Sequence, residues 1–425
     1  MKLKKVIILA YFYSPSNFVG TERIVWWANN LHKYGIYPII ITRQWNQGQK
    51  DIVDKVKNNK LEIEKTDKYE IHKLPYNQNL RDKLSDYPKL KYLQKALSLY
   101  ELLLSNFFIK AIPYNNIYYY AQNYLKANEG VSILMASGRP FHLFYFGYLL
   151  KKQFPIKWIP DYRDEWITHQ NSDFNKSFLT RLVANFESKV ERKWTSNADS
   201  FISVNEYCVN RISKFIDKPG FVIMNGYNEF KPLNPTLNDN ELRIVYAGTL
   251  YESQKIELII KSCIELNENL MYNGKIHLIF VGTEVQVAAH NKLVSLISGH
   301  SGLFEIIPRL PRNELNNILS NADLLLLTGY ENVSGCYPVK LFEYFATSKP
   351  ILLFPSDNNV MEDFIKEIKS GFIVNSVKEG VELLTILLDQ KLKGNKITIE
   401  PDSIKGFKYS REHQTMLLGE YLNNF

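Results

Sequence analysis

Short runs rich in Val, Ile and Leu alternate along the chain with longer stretches whose apolar positions recur at helical spacing. Runs of the first kind predict strands at 5–13, 37–43, 69–74, 131–137, 157–163, 200–205 and 220–224 in the first half. The second half repeats the rhythm, with strands predicted at 242–248, 275–282, 304–309, 322–328, 349–354 and 371–374. Between them, segments such as "TERIVWWANNLHKYG" and "FLTRLVANFESKVERKWTSNA" read as amphipathic helices. Strands that alternate with helices argue for parallel α/β sheets. The opening "MKLKKVIILAYFYSPS" resembles a signal peptide in its charged head and apolar run. The run is short and no small-residue cleavage site follows, so it is read as a buried strand.

The rhythm breaks twice. Residues 225–241, "NGYNEFKPLNPTLNDNE", are rich in Asn, Pro and Gly without apolar periodicity, which reads as a linker or an ordered crossing. The expected architecture is therefore two doubly wound, Rossmann-like domains facing a central cleft. One spans 1–225 and the other 226–405. In such sheets ligands bind beyond the carboxyl ends of the strands. The second break is an insertion at about 81–128. There Leu90, Leu93, Leu97, Tyr100 and Leu104 follow helical spacing among Lys89, Lys91, Lys95, Lys110 and Lys126. Two compatible readings stand: a helical hairpin packed on the first domain, or a basic amphipathic face, 87–128, resting on anionic lipid.

Composition narrows the classes. A chain of 425 residues is too long for one ordinary core and fits two domains. With 45% apolar and 23% charged residues it reads as globular. No stretch approaches the ~18 uncharged apolar residues of a membrane span. Cys208, Cys263 and Cys336 form neither a metal spacing nor a disulfide framework, which suits a reducing cytoplasm. The net charge of +8 favours anionic partners. Basic residues are interleaved with acids instead of forming one arm or stripe, which weighs against nucleic acid.

Candidate chemistry gathers where strands end. In "YSPSNFVGTER", Gly20 permits close backbone approach at a helix start, which suits an anion or an ordinary strand–helix turn. "IPDYRDEWITHQ" sets Asp161, Arg163, Asp164, Glu165 and Trp166 at a strand end, as a site or as a solvated loop with an Arg–Asp pair. "SGRPFHLFYF" places His142 near a helix start, with a structural or a functional role. In "IVYAGTLYESQK", Gly248 admits a ligand, and Lys255 is either a phosphate contact or a solvent lysine. The most informative stretch is "CYPVKLFEYFATSKPI", residues 336–351. Pro338 would fill the first helical position and Lys340 the first turn, at the positive end of the helix dipole. Glu343 shares its face, so an i,i+3 salt bridge is one reading. The other is an incoming diphosphate, held by Lys340 and the helix amides, with Glu343 accepting hydrogen bonds from sugar hydroxyls.

"YPVKLFEYFATSKPIL" closely resembles the donor-binding helix of GT-B-fold glycosyltransferases, in particular the retaining family 4 type. "PDYRDEW", "YSPSNFVGTER" and "NGYNEF" resemble further elements of the same family, and "GFKYSREHQTMLLGEYL" resembles its closing helix. The resemblance implies that 406–425 returns to the first domain. It further implies a nucleotide-sugar donor on the second domain, a glycan or lipid-linked acceptor on the first, and no essential metal or cofactor. Donor binding would fall to Gly20, Gly248, Thr249, Gly335, Tyr337, Lys340, Leu341 and Glu343, with Arg309 and Leu310 beside the base. Lys340, Lys255, Asp164 and His142 would serve catalysis, and Arg163, Asp164 and Trp166 the acceptor.

Departures bear on the donor sugar and on the diphosphate clamp. Many members carry a glutamate eight positions before the one matched by Glu343, and Gly335 stands there. Many have arginine after the glycine of "YAG", where this chain has Thr249. The implied activity is retaining transfer in capsule, exopolysaccharide or lipopolysaccharide synthesis, by a cytoplasmic protein peripheral to the inner face of the membrane. The rivals are a sugar-nucleotide epimerase of the same fold and a basic nucleic-acid-binding protein.

Overall fold

A computed structural model of the chain describes residues 3–16, 20–46, 60–76, 79–84, 87–168, 178–230 and 240–425. It consists of two compact units, one formed by Met1–Asn225 with Arg411–Phe425 and the other by Gly226–Ser410.

The first unit is built on an eight-stranded sheet in the order β3-β4-β2-β1-β5-β6-β7-β8. Its strands are β1 Lys4–Ala10, β2 Ile36–Arg43, β3 Glu62–Lys65, β4 Glu70–Leu74, β5 Val131–Gly138, β6 Lys157–Tyr162, β7 Phe201–Ser203 and β8 Gly220–Val222. Successive side chains of a strand point to opposite faces, and β1 shows the consequence. Ile7 and Leu9 join a core with Tyr118, Phe146 and Trp158. Val6, Ile8 and Ala10 join another with Ile24, Trp27, Leu418 and Leu422. The helix Arg411–Asn423 thus packs on the sheet near β1, where Lys4 Nζ donates to the carbonyl of Leu422 at 2.8 Å.

The second unit carries a six-stranded parallel sheet ordered β11-β10-β9-β12-β13-β14. These strands are β9 Leu242–Ala247, β10 Ile276–Val281, β11 Phe304–Ile307, β12 Leu324–Leu327, β13 Ile351–Leu353 and β14 Gly371–Ile373. In both sheets the strand order reverses beside the first strand, between β1 and β5 and between β9 and β12. The carboxyl ends at such a reversal are where a doubly wound sheet offers a binding crevice.

The strands lie where the apolar runs place them, with ends that differ by up to a few residues. β1 stops at Ala10, short of the expected 13, and β11 stops at Ile307, before Pro308, which has no amide to donate to a ladder. The segment 200–205 yields only Phe201–Ser203, because Asn205 caps the helix Glu206–Ile216 by accepting from the amide of Cys208 at 2.8 Å. β3 has no apolar signal: "EIEK" is exposed along its whole length and pairs antiparallel with β4 at the sheet edge. Pro338 is the cap preceding its helix, with φ −67° and ψ 142°, so Val339 is the first helical residue.

In the insertion, the helix Asn116–Ala127 buries Ile117, Tyr118, Ala121 and Leu125. The helix Lys91–Ser105 behaves differently. Leu90, Tyr92, Leu93 and Tyr100 are exposed, as are Phe107 and Phe108 beyond its end.

Candidate functional site

In the second unit, the helix Val339–Ala346 delivers its first turn to the carboxyl end of β9. It is anchored from below: Leu341 and Phe342 are buried, and the Tyr344 hydroxyl accepts from the amide of Ala247 at 2.7 Å. Lys340 is half-buried, and its Nζ donates to the Tyr246 hydroxyl at 2.7 Å and reaches the carbonyl of Thr249 at 3.4 Å. It lies 3.9 Å from the centroid of the Tyr246 ring. Among the described residues no carboxylate stands within ion-pair distance of it. Burial pushes its pKa down to about 7, against the opposing pull of Glu343 and Cys336. The amine sits at the helix end that already carries partial positive charge. A half-buried cation so placed gains from an anion at the same point.

The surrounding backbone leaves room for one. Gly248 has φ 104°, a conformation that favours glycine, and the side it leaves open faces the end of Lys340. Tyr246 is held in turn. Its hydroxyl lies 2.8 Å from the carbonyl oxygen of Thr249 and 3.1 Å from Oε1 of the buried Gln254, with one proton to share between the two acceptors. Gln254 ties the carboxyl ends of β9 and β12 together by donating to the carbonyl of Thr328 at 3.1 Å. Lys255 forms a half-exposed ion pair with Glu331 at 2.7 Å, which holds its amine above the ordinary value.

Glu343 does not pair with Lys340. Its Oε1 accepts from Nη1 of Arg312 at 2.7 Å. Sequence reasoning missed Arg312, although its position gave a signal. It directly follows the 309–311 loop and opens the helix Arg312–Ser320 after Pro311. In that loop Arg309 is exposed and its amide donates to Glu284 at 2.8 Å, while Leu310 is half-buried. Gly335 is buried with φ 70°, and its amide donates to Asn359 at 2.9 Å. The left-handed backbone accounts for glycine at a position where a glutamate would be strained. Tyr337 stacks on Phe342 at 5.9 Å between ring centroids. Leu341 is fully buried, so a ligand would meet its backbone and not its side chain.

In the first unit, loops after β1, β5 and β6 converge. The guanidinium of Arg163 lies against Gly20, where any Cβ would collide with it. Arg163 Nε donates to the carbonyl of Gly138 at 2.6 Å, and Nη2 to that of Arg139 at 3.3 Å. The charges of "DYRDE" then divide. Asp161 is buried against Arg23 at 3.1 Å and accepts from Ser137 at 2.8 Å. Glu165 is buried in a two-pronged pair with Arg211, at 2.8 and 2.7 Å. Asp164 is exposed, 4.0 Å from Arg139. Trp166 stacks on Phe141 at 4.7 Å between ring centroids. His142 stands elsewhere: its ring nitrogens meet the hydroxyls of Tyr114 at 3.1 Å and Ser105 at 2.9 Å, in the packing of the insertion. Burial pushes its pKa down to about 4, so the ring is neutral near pH 7.

Among the described residues no group of three His, Cys, Asp or Glu is arranged to hold a metal ion, and no helix is long and apolar enough to cross a membrane.

The fold has close counterparts among solved structures. Sucrose-phosphate synthase from Thermosynechococcus elongatus aligns with a TM-score of 0.63 at 13% identity, covering 99% of this chain and 98% of the other. An α,α-trehalose-phosphate synthase (UDP-forming) from Burkholderia vietnamiensis gives 0.61 at 9% identity, covering 99% and 100%. A trehalose-6-phosphate protein from E. coli, described as bound with UDP-2-fluoro glucose, gives 0.59 at 14%, covering 99% of each chain. The architecture is the GT-B fold of glycosyltransferases. Residues 228–399, which lie within the second unit, match the family described as glycosyl transferases group 1. No curated protein matches it in sequence.

Proposed function

We propose that this protein is a retaining glycosyltransferase that moves a sugar from a nucleoside-diphosphate sugar to a glycan or lipid-linked acceptor in surface polysaccharide synthesis. The observation that carries the reading is Lys340, a half-buried cation without a carboxylate partner at a helix start, beside the open face of Gly248. A diphosphate there would be held by the amine and the first-turn amides, and the same groups would stabilise the charge that develops as the leaving group departs. Glu343 would accept from a ribose hydroxyl. Lys255 would join the diphosphate by exchanging Glu331 for it. No metal would be needed, because these cationic groups supply the stabilisation a divalent ion would otherwise give. In the first unit, Arg163, Asp164 and Trp166 would face the acceptor. His142, already bonded at both nitrogens, would support the insertion and take no part in proton transfer.

The uridine diphosphate in the descriptions of two structural neighbours makes UDP-sugars the first donors to try. The test is release of nucleoside diphosphate from a panel of nucleotide-sugars, with and without glycan and polyprenyl-linked acceptors, in EDTA. Acceptor-dependent release and a product with the donor's anomeric configuration support the reading. Acceptor-independent turnover to an epimeric sugar supports the epimerase instead.

A lipid-linked acceptor gains support from the insertion. Leu90, Tyr92, Leu93, Tyr100, Phe107 and Phe108 are exposed beside Lys89, Lys91, Lys95 and Lys110. Aromatic and aliphatic side chains among lysines suit the headgroup region of an anionic bilayer. Such a surface would let the protein lie on the inner face of the cell membrane.

A further inference from the structure

We infer that Arg312 is the positioning residue for the donor's ribose: by holding one oxygen of Glu343 it fixes which face of that carboxylate is offered to the nucleotide. The inference rests on the nucleotide-sugar reading and adds a residue to it. Glu343 is the fifth of the eight residues of the helix Val339–Ala346, three positions after Lys340 and so on the same face. A free glutamate there would sample several rotamers, each with its carboxylate in a different place. Arg312 removes that freedom. Its Nη1 donates to Oε1 of Glu343 at 2.7 Å, the short distance of a charge-assisted bond. Among the described residues Oε2 accepts no hydrogen bond. One oxygen is thus anchored and the other is presented.

The two elements that meet in this pair have separate duties. Arg312 opens the helix that follows the 309–311 loop, and Glu343 follows Lys340 by one turn. The ion pair therefore couples the loop expected beside the base to the helix expected beside the diphosphate. Both partners retain solvent exposure, with side chains 49% and 24% accessible, so the pair adds little to folding. Its effect is orientation of an acceptor, and a hydroxyl donor is what a carboxylate so oriented selects.

The experiment titrates wild type, Arg312→Ala, Arg312→Lys and Glu343→Gln by calorimetry. The ligands are UDP, GDP or ADP, whichever binds wild type tightest, its 2′-deoxy and 3′-deoxy forms, and inorganic pyrophosphate. Wild type should prefer the ribonucleotide over at least one deoxy form by roughly ten- to a hundredfold, the range for a hydrogen bond to a charged group. Arg312→Ala should lose most of that preference while binding pyrophosphate as wild type does. Arg312→Lys should restore part of it, and Glu343→Gln combined with Arg312→Ala should lose no more than Glu343→Gln alone. Retention of the full preference in Arg312→Ala overturns the inference and leaves the nucleotide reading standing. Equal weakening of pyrophosphate, ribonucleotide and deoxynucleotide in Arg312→Ala also overturns it, since that marks a general effect on the site. Failure of every diphosphate and of pyrophosphate to bind wild type overturns both.

Discussion

At the scale of single residues, Lys340 presents a lysine whose environment disfavours its own charge. Desolvation pushes the pKa of its amine down to about 7. A diphosphate beside it would raise that value. The extra affinity is therefore fully present below about pH 7 and is lost as pH rises from there through the higher value of the complex. Calorimetry in buffers of differing ionisation enthalpy should show net proton uptake at pH 8 when nucleoside diphosphate binds, and affinity that falls from pH 6.5 to pH 9. Glu343→Ala should lower kcat/KM for transfer by a factor of ten to a hundred, about 1.5–3 kcal/mol for a hydrogen bond to a charged group, with the thermal unfolding midpoint unchanged. The sequence made Lys340 and Glu343 visible, because a lysine in the first turn contradicts the helix dipole. It did not make their partners visible. Tyr246 and Arg312 lie 94 and 31 positions away and come together only through strand order and loop placement. Asp161 and Glu165 looked like site charges in sequence, yet burial turned them inward to Arg23 and Arg211.

Elements were legible where one side of them had to be buried. Strands with apolar runs appear at the expected places, whereas β3 was hidden because its alternation is between charges and a single Ile63 that is itself exposed. The helix His142–Gln153 packs closely on β6: Gly147 lies against the ring of the fully buried Trp158, with no space for a Cβ. Gly147→Ala should accordingly cost about 1–3 kcal/mol through overpacking, read as a lowered midpoint in urea. The helix Lys91–Ser105 is the reverse case, leaving Leu93 and Tyr100 of its helical apolar pattern exposed. Changing Leu93 and Tyr100 to Asp should abolish sedimentation with vesicles containing phosphatidylglycerol while leaving circular dichroism unchanged. Equal sedimentation of this variant and wild type would exclude the lipid-facing role.

Across the whole molecule, alternation of strand and helix was enough to give the α/β class, and the polar stretch near residue 230 marked where one sheet gives way to the next. What no local pattern conveys is strand order, and strand order sets the reversals beside β1 and β9 where the candidate groups gather. In the second unit, that reversal brings together Gly248, Tyr246, Lys340 and the Arg312–Glu343 pair. The central claim is that this group binds the diphosphate of a nucleotide-sugar. It is tested most directly by titrating UDP, GDP and ADP, in EDTA at pH 6.5, into wild type and Lys340→Ala. The account predicts that at least one binds wild type and binds the variant at least tenfold more weakly, about 1.4 kcal/mol. Equal affinity for the two proteins would contradict it.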